Sequence, residues 1–393
     1  MKRRLMALVA LAFAMTSCQS DSFMGLDSQN EVDVKLAFSA PDMIGATRTD
    51  GDVNMALNSA FGAIDYLDGA PVGDYRLDWD DVDLRYSLEI YDAQNLDAPI
   101  KDRLVIIKDK YEPVQFDVRL IAGRTYRFAV FADFVPNGTA AAEVVNMDVD
   151  AQRDLGLRHT IGNNLTDIAI KASAAAINDE IADAYFASFE YTPAEDVPNN
   201  IVEQTLTRPY AKVRVVATDL ADLNLNVHPK YVQVSYEVYD EDAAFPTKFN
   251  AVKGKLVKDE AVAQNDETAQ NAPLAAEYVA AVRDNRDMHV YNSGYDLMVD
   301  ANGRASHLTL YTDYILAASG KHTPINFTMT VFDESNVKIK EVKFDTQIPL
   351  ERNYLTTIVG NVLTTQTDIK ITINDDFLNA DNTEDEPFYE VVE

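Results

Sequence analysis

The stretch VDVKLAF, residues 32–38, decides the fold because its side chains alternate strictly between apolar and polar or small. Successive side chains of a strand point to opposite sides of a sheet, so Val32, Val34, Leu36 and Phe38 share one face. This alternation predicts a half-buried β-strand. An apolar face of this kind needs a second layer to cover it, which favours a sandwich of sheets.

The same two-residue period recurs through most of the chain. It marks residues 86–92, 114–120, 126–134, 211–220, 231–240, 306–316, 326–333, 340–348 and 368–375 as strands. The turn-forming stretches PNG (136–138) and DANG (300–303) separate some of these runs. Helical signals are few, and we predict short helices only over 178–187 and 275–285. The sequence therefore predicts a mainly β protein built from antiparallel β-sandwich domains.

The first twenty residues, MKRRLMALVALAFAMTSCQS, read as an export signal. A basic start is followed by an apolar run over 5–15, which is shorter than the roughly 20 residues that a membrane-spanning helix needs. Small residues directly before Cys18 are typical of a bacterial lipobox, whose cysteine becomes the lipidated first residue. Cys18 is the only cysteine, so it forms no intramolecular disulfide. An ordinary secretory signal over 1–17 with an incidental cysteine is the alternative.

Length and charge limit the domain count and the partners. Removal of the signal leaves 376 of the 393 residues, enough for two domains. The formal net charge of −30 repels phosphate backbones and anionic membrane surfaces, which excludes nucleic-acid binding and leaves membrane contact to the lipid alone.

The polar, proline-containing stretch 192–207 predicts the domain boundary. We accordingly expect an N-terminal sandwich over 49–203 and a C-terminal sandwich over 204–377. Residues 18–48 form a lipidated segment that carries the first strand. Residues 378–393 form an acidic tail.

The chain carries no motif of an enzyme. Its five histidines show no metal-ligand spacing, and no nucleophile elbow or phosphate-binding loop is present. The acidic run DWDDVD (78–83) surrounds the only tryptophan, Trp79, and fits calcium binding or a glycosidase carboxylate pair. Solvated loop residues are the favoured explanation in a chain with 64 acidic residues. We predict no catalytic residue, no metal and no cofactor.

The stretch MIGATRTDGD (43–52) places a lone arginine, Arg48, among small, flexible and acidic residues. Such loop tips are preferred sites of proteolysis. A cut between Arg48 and Thr49 would free residues 18–48 with the first strand. The sandwich would then expose an apolar groove bordered by unpaired backbone groups, which an extended segment of another molecule can fill. A merely solvated loop arginine is the alternative.

The C-terminal stretch PFYEVVE (387–393) is the candidate donor strand. Its apolar residues are Phe388, Tyr389, Val391 and Val392. Their alternation is imperfect, which leaves open a donor strand that includes residues nearer Phe377.

Six stretches together resemble a known family. In chain order they are the lipobox at Cys18, GATRTDG (45–51), GRTYRFAVFADF (123–134), NDEIADAYFAS (178–188), TRPYAKVRVVATDL (207–220) and ERNYLTTIVGNVLTT (351–365). Their order over most of the chain resembles a fimbrillin, a type V pilin of Bacteroidales-type anaerobes, or a closely related fimbrillin-like surface lipoprotein.

This resemblance implies two transthyretin-like antiparallel β-sandwich domains with few short helices. It implies export as a lipoprotein to the outer membrane of a Gram-negative bacterium and cleavage after Arg48 by an arginine-specific protease. The displaced strand would be residues 31–40, and the tail would be the donor. Copies of this chain or related pilin subunits would then assemble into an adhesive fimbria, whose receptor on a host or bacterial surface the resemblance does not identify.

Two other classes of protein compete with this interpretation. One is a surface lipoprotein that does not polymerise, either a fimbrial anchor or tip or a glycan binder with Trp79 and tyrosines as platforms. The other is a hydrolase on a β scaffold, which the empty motif search disfavours. Most tyrosines lie in strand patterns where core packing explains them, which favours the structural subunit.

Overall fold

The computed structural model describes residues 30–39, 81–110, 112–170, 180–195, 197, 200–224, 227, 229–237, 248–257, 279–282, 289–290, 308–320, 323–333, 335–374 and 389–390. In this part the chain is mainly β, as the alternating pattern predicts. The strands before residue 206 are β1 (Glu31–Ser39), β2 (Val82–Asp92), β3 (Leu104–Lys108), β4 (Val114–Ile121), β5 (Tyr126–Pro136), β6 (His159–Ile161), β7 (Ile168–Ile170), β8 (Ala184–Tyr191) and β9 (Asn200–Thr205).

The strands after residue 206 are β10 (Tyr210–Ala217), β11 (Pro229–Glu237), β12 (Lys248–Asn250), β13 (Lys255–Leu256), β14 (Val279–Val282), β15 (His289–Val290), β16 (Leu308–Leu316), β17 (Thr323–Asp333), β18 (Lys338–Leu350), β19 (Leu355–Asn361), β20 (Thr367–Asn374) and β21 (Tyr389–Glu390). Helical segments in the described part are the short α1 (Ala141–Val144) and α2 (Val149–Asp154) and two 3-10 turns, Glu180–Ala182 and Leu220–Asp222. None of these helices is long and apolar enough to cross a membrane.

Two sheets form the first sandwich. One has the strand order β4-β1-β9 and the other has the order β3-β2-β5-β8. Their inward faces share one core, to which Leu36 of β1, Phe116 of β4 and Phe128 of β5 belong. The side chains of β4 alternate between buried and exposed along the strand, as the sequence pattern predicts for a half-buried strand.

A second pair of sheets follows in the chain. A six-stranded sheet has the order β15-β16-β10-β19-β20-β21, and a four-stranded sheet has the order β14-β11-β17-β18. They share a separate core that includes Val213, Phe327 and Ile358. The core of the first sandwich includes Leu206 and so extends past residue 204, and the predicted boundary between residues 203 and 204 stays a prediction.

A fifth, four-stranded sheet, β13-β12-β7-β6, covers the back of the first sandwich. Its core joins Phe131 on the outward face of β5 to Phe249 of β12, and it reaches Tyr210 and Tyr314 of the second sandwich. Strands β2 and β5 are therefore buried along almost their whole length on both faces. Polar residues that alternate outward in the sequence, such as Arg85, lie beneath this layer.

A cluster of buried polar groups lies under that layer. Arg85 donates two hydrogen bonds to the Asp133 carboxylate, at 2.8 and 2.7 Å. His159 Nδ1 lies 3.5 Å from Asp133 Oδ2, and His159 Nε2 lies 2.5 Å from the Tyr210 hydroxyl of the second sandwich.

Burial lowers the pKa of His159 below its ordinary value, although Asp133 acts in the opposite direction. Burial tends to raise the pKa of Asp133, but Arg85 and His159 hold it below its usual range. The pair therefore favours a neutral histidine beside an ionised aspartate.

We expect this histidine to make stability depend on pH. An unfolded histidine takes up a proton near pH 6.5, whereas folded His159 resists protonation. The stability that neutral, folded His159 provides is therefore fully present above about pH 6.5. Below that pH the free energy of unfolding falls by up to about 1.4 kcal/mol per pH unit. Urea unfolding at pH 7.5 and 5.5 should show a smaller pH difference for His159→Gln than for the wild type. Equal differences would contradict the assignment, because the remaining histidines are common to both chains.

Asp219 links two connections of the second sandwich. It lies just after β10, is 1 % exposed, and accepts backbone hydrogen bonds from Val362, Leu363 and Thr364 after β19. The hydroxyl of Thr364 adds a further bond at 2.7 Å. One carboxylate thus satisfies donors that would otherwise be buried without partners.

Replacing Asp219 by alanine should destabilise the second sandwich strongly. A buried donor left without its partner costs about 1–3 kcal/mol, so we expect a loss of at least about 3 kcal/mol in the free energy of unfolding. Asp222→Ala is the matched control, because Asp222 is exposed on the same turn and should change stability by less than about 0.5 kcal/mol. Urea unfolding measures both. A similar small change in the two variants would show that the carboxylate contributes little.

Two local predictions are wrong. The alanine-rich stretch 275–285 was expected to be helical, but residues 279–282 form β14, which pairs antiparallel with β11 and extends its sheet. Pairing with a sheet edge overrides the helix propensity of alanine there. Residues 178–187 were also expected to be helical, but the described part has one 3-10 turn followed by β8, whose backbone pairs with β5. The predicted boundary 192–207 likewise contains a strand, β9.

Candidate functional site

Strand β1 is the central strand of its sheet. It pairs antiparallel with β4 from Glu31↔Ile121 to Phe38↔Val114. On its other side it pairs parallel with β9 from Val34↔Asn200 to Ser39↔Thr205. Both backbone edges of β1 are thus occupied by neighbours that lie far away in the sequence.

The face predicted from the sequence is the face that enters the core. Val34 and Leu36 are fully buried, Phe38 is 1 % exposed, and Val32 packs against the same core while remaining partly exposed. Each fully buried side chain of this size contributes roughly 1.5–3 kcal/mol. The role of these four residues as a displaced strand stays a prediction.

Aromatic rings form much of the surface under Phe38. Its ring lies 6.0 Å from that of Phe116 and 6.2 Å from that of Phe189, measured between centroids. Phe189 in turn stacks on Phe128 at 5.3 Å. Without β1, these rings would be open to water between the backbone edges of β4 and β9.

Charged contacts contribute little to holding β1. Arg119 of β4 lies 3.8 Å from a Glu31 carboxylate oxygen and 3.4 Å from one of Asp33, but Arg119 and Asp33 are well exposed. Exposed ion pairs of this kind contribute about 0–1 kcal/mol. The apolar face and the backbone ladders therefore hold the strand.

The remaining predicted site residues are not brought to β1. Cys18, Arg48 and Thr49 lie outside the described residues, as do Phe388, Val391 and Val392 of the tail. The fourth apolar residue of the tail, Tyr389, lies in β21 and pairs with Ile371 of β20. In this structure that part of the tail lies at the edge of the second sandwich.

The acidic run around Trp79 is only partly described. Asp83 is 6 % exposed and accepts a hydrogen bond of 2.9 Å from the backbone N–H of Gly138 in the turn after β5. This carboxylate therefore stabilises a turn. Among the described residues no group of three or more histidines, cysteines or carboxylates is placed to bind a metal ion.

Sequence reasoning missed β9, the second partner of β1. Its stretch NIVEQT does alternate, with Val202 facing the core and Ile201 outward at 54 % exposure. The prolines around it suggested a linker instead. The alternation within 200–205 was the one available signal.

The fold and site define a β-sandwich protein whose first strand is inserted between two distant strands. The family model described as "Family of unknown function (DUF6562)" matches residues 26–389. The chain belongs to this family. None of the curated proteins matches it.

Several solved structures are similar to the chain over most of its length. A "putative adhesin" from Bacteroides thetaiotaomicron is 12% identical, covers 87% of this chain and 95% of its own, and has a TM-score of 0.39. A fimbrial assembly protein from Parabacteroides distasonis is 12% identical with the same coverages and a TM-score of 0.34. "Putative polysaccharide binding proteins" from Bacteroides thetaiotaomicron are 9% identical, cover 87% and 96%, and have a TM-score of 0.37. Likenesses at this level assign no function to the chain.

Truncating the central side chain of β1 should destabilise the first sandwich. Leu36→Ala removes a fully buried side chain, which typically costs about 2–5 kcal/mol of unfolding free energy. Lys35→Ala is the matched control on the opposite, partly exposed face, and should cost less than about 0.5 kcal/mol. Urea unfolding measures the free energy of unfolding of both variants. Hydrogen exchange of the β4 amides in the folded variants shows whether the loss lies next to β1. Equal stability of the two variants would place β1 outside the cooperative core.

Proposed function

We propose that the chain is a structural subunit of an adhesive cell-surface fimbria. It is exported as a lipoprotein through Cys18, cleaved between Arg48 and Thr49, and polymerised by donor-strand exchange. The observation that carries the proposal is the position of β1: a strand near the start of the chain occupies the middle of a sheet.

Topology supports removal of β1 by a single cut. The strand is the first one in the described part, and the next described strand, β2, begins at Val82, so residues 40–80 connect the two in sequence. Arg48 lies in that connection. An internal strand would remain tethered at its other end after one cut.

The vacated groove would expose apolar side chains and unpaired backbone groups to water. Its floor is apolar and aromatic, and its two walls are the ladder edges of β4 and β9. Leaving such backbone groups and apolar surface unpaired is costly, so an extended segment with apolar residues at alternate positions is the natural occupant. A strand that enters in the direction of β1 runs antiparallel to β4 and parallel to β9.

The tail of a neighbouring copy is the proposed occupant. Its residue Tyr389 pairs with β20 of its own chain in this structure. Within the described residues that pairing involves Tyr389 and Glu390, and it would have to break before the tail enters the groove of the next subunit. Partners are therefore other copies or related pilin subunits, together with the processing protease. The lipid holds the unprocessed chain at the outer membrane.

Within the described residues, burial of the aromatic side chains favours this function over glycan capture; Trp79 lies outside them. The exposed large hydrophobic side chains of the described part are Leu155, Val197, Ile201 and Val337, and none is aromatic. A glycan platform needs an open aromatic face. An anchor or tip subunit remains the second candidate, and its distinguishing property would be failure to polymerise after cleavage.

Limited proteolysis tests the proposal. The chain beginning at Gln19 is incubated with a small amount of an arginine-specific protease and analysed by mass spectrometry and native gels. We expect one early cut after Arg48, followed by a ladder of multimers, because the freed groove accepts a neighbour's tail. Arg48→Ala, which keeps the loop but removes the site, should stay monomeric.

A synthetic peptide of residues 31–39 provides the second control. Added in excess, it should occupy the groove and suppress the ladder. A cut chain that stays monomeric without the peptide would rule out the shaft role and point to an anchor or tip subunit.

A further inference from the structure

Strand β9 depends on β1 for its only ladder. Within the described residues it pairs with no other strand, so it forms the edge of the three-stranded sheet. If nothing else held β9, one wall of the groove would be lost together with β1. Hydrogen bonds at the two ends of β9 hold this strand independently of β1.

Asn200 fastens the start of β9 to the opposite sheet. Its side chain is 1 % exposed and its Oδ1 accepts hydrogen bonds from the Tyr191 hydroxyl at 2.8 Å and from the Ala194 N–H at 3.1 Å. Its Nδ2 donates to the Ala194 carbonyl at 3.2 Å. Tyr191 is the last residue of β8, so its bond ties β9 to β8, and the two bonds to Ala194 tie β9 to the connection that follows β8; none of the three involves β1.

A second attachment lies just beyond the other end of β9. Thr207 and Phe186 of β8 exchange two backbone hydrogen bonds, at 2.9 and 2.7 Å. Leu206 beside them is fully buried in the core. Arg208 follows with a hydrogen bond of 2.7 Å to Asp183. Of the bonds at this end, the one from Leu206 N–H to the Ser39 carbonyl is lost when β1 leaves.

The spacing of the two attachments keeps β9 extended. Phe186 and Tyr191 are five residues apart on β8, which corresponds to about 17 Å at roughly 3.3 Å per residue. The segment from Asn200 to Thr207 is seven residues long and reaches about 23 Å at most. About 6 Å of slack remains, so the segment stays close to extended while both of its ends are held.

From this geometry we infer that β9 is an anchored wall that stays in place when β1 leaves. Asn200 is its positioning residue, and it keeps the groove open for a strand that enters parallel to β9. The inference rests on the proposed strand exchange. It also states what the entering segment must offer: apolar side chains opposite Asn200 and Val202 in place of Val34 and Leu36, and a large one at the position of Phe38.

Peptide rebinding tests the inference. The chain beginning at Gln19 is cut after Arg48, the released fragment is removed by gel filtration, and a fluorescent peptide of residues 31–39 is titrated in. We expect the wild type to bind it and Asn200→Ala to bind it at least about tenfold more weakly. Ile201→Ala is the matched control on the outward face of the same strand, and should bind within about twofold of the wild type.

A distance measurement separates positioning from general destabilisation. The labelled variant carries Glu190→Cys on β8 and Glu203→Cys on β9, and a spin label is attached to each cysteine. Both positions are exposed, and the chain from Gln19 has no other cysteine to label. The label distance should stay single and unchanged in the wild type after β1 is removed. In the Asn200→Ala background it should be unchanged before removal and broaden after it. If Asn200→Ala does not fold, Tyr191→Phe removes one of the three bonds and should weaken rebinding to a lesser degree.

The outcomes distinguish the two proposals. Equal peptide affinity and equal label distances in the wild type and Asn200→Ala would overturn the anchored wall while leaving strand exchange intact. A cut wild-type chain that does not take up the peptide would overturn strand exchange itself, and the anchored wall with it.

Discussion

The two ladders of β1 are the constraint on which the first sandwich depends. Strand β1 joins β4, about eighty residues later, to β9, more than one hundred and sixty residues later. Non-local contacts of this kind form only after the intervening chain has been ordered, which slows folding and leaves the sheet incomplete until late. Removal of this strand would leave two ladder edges unpaired, one on β4 and one on β9. The same arrangement therefore stabilises the monomer and defines the surface on which we base polymerisation.

Buried ion pairs join the layers on the other side of the first sandwich. Glu89 accepts hydrogen bonds from Arg103 Nε at 2.8 Å and from the Leu165 N–H at 2.8 Å, and the Tyr91 hydroxyl also donates to it. Burial together with the nearby Glu89 raises the pKa of Tyr91, which keeps this phenol a hydrogen-bond donor at any physiological pH. Buried pairs add little net stability relative to apolar packing, but breaking one is costly, so they define the relative orientation of layers.

Alternation in the sequence identified strands well. It did not identify the layers and partner strands that bury them. Strand β4 behaves as the half-buried strand that its pattern predicts, and so does β1. Strands β2 and β5 carry the same alternation, yet both of their faces are buried, because a third sheet covers the polar side. Local patterns cannot reveal a covering layer that comes from 80 residues away. The same limit explains β9: its register and its attachment through Asn200 depend on β8 and β1, and neither partner is visible in the stretch 200–205 itself.

If the acidic tail is the donor strand, it can enter the groove in two orientations that differ in which alternate side chains face the core. One of them is unfavourable because it buries Glu390. If Phe388 and Val392 point inward, Glu390 takes a position like that of Leu36, which is fully buried. An unpaired carboxylate there costs several kcal/mol, which offsets the gain from burying the two apolar neighbours. The other facing places Pro387, Tyr389 and Val391 inward and leaves Glu390 in water. Proline is acceptable at the first residue of a strand. If residues 387–393 are the donor strand, as we propose, the imperfect alternation restricts their register, and Tyr389 is the residue that would enter the core of the neighbouring subunit.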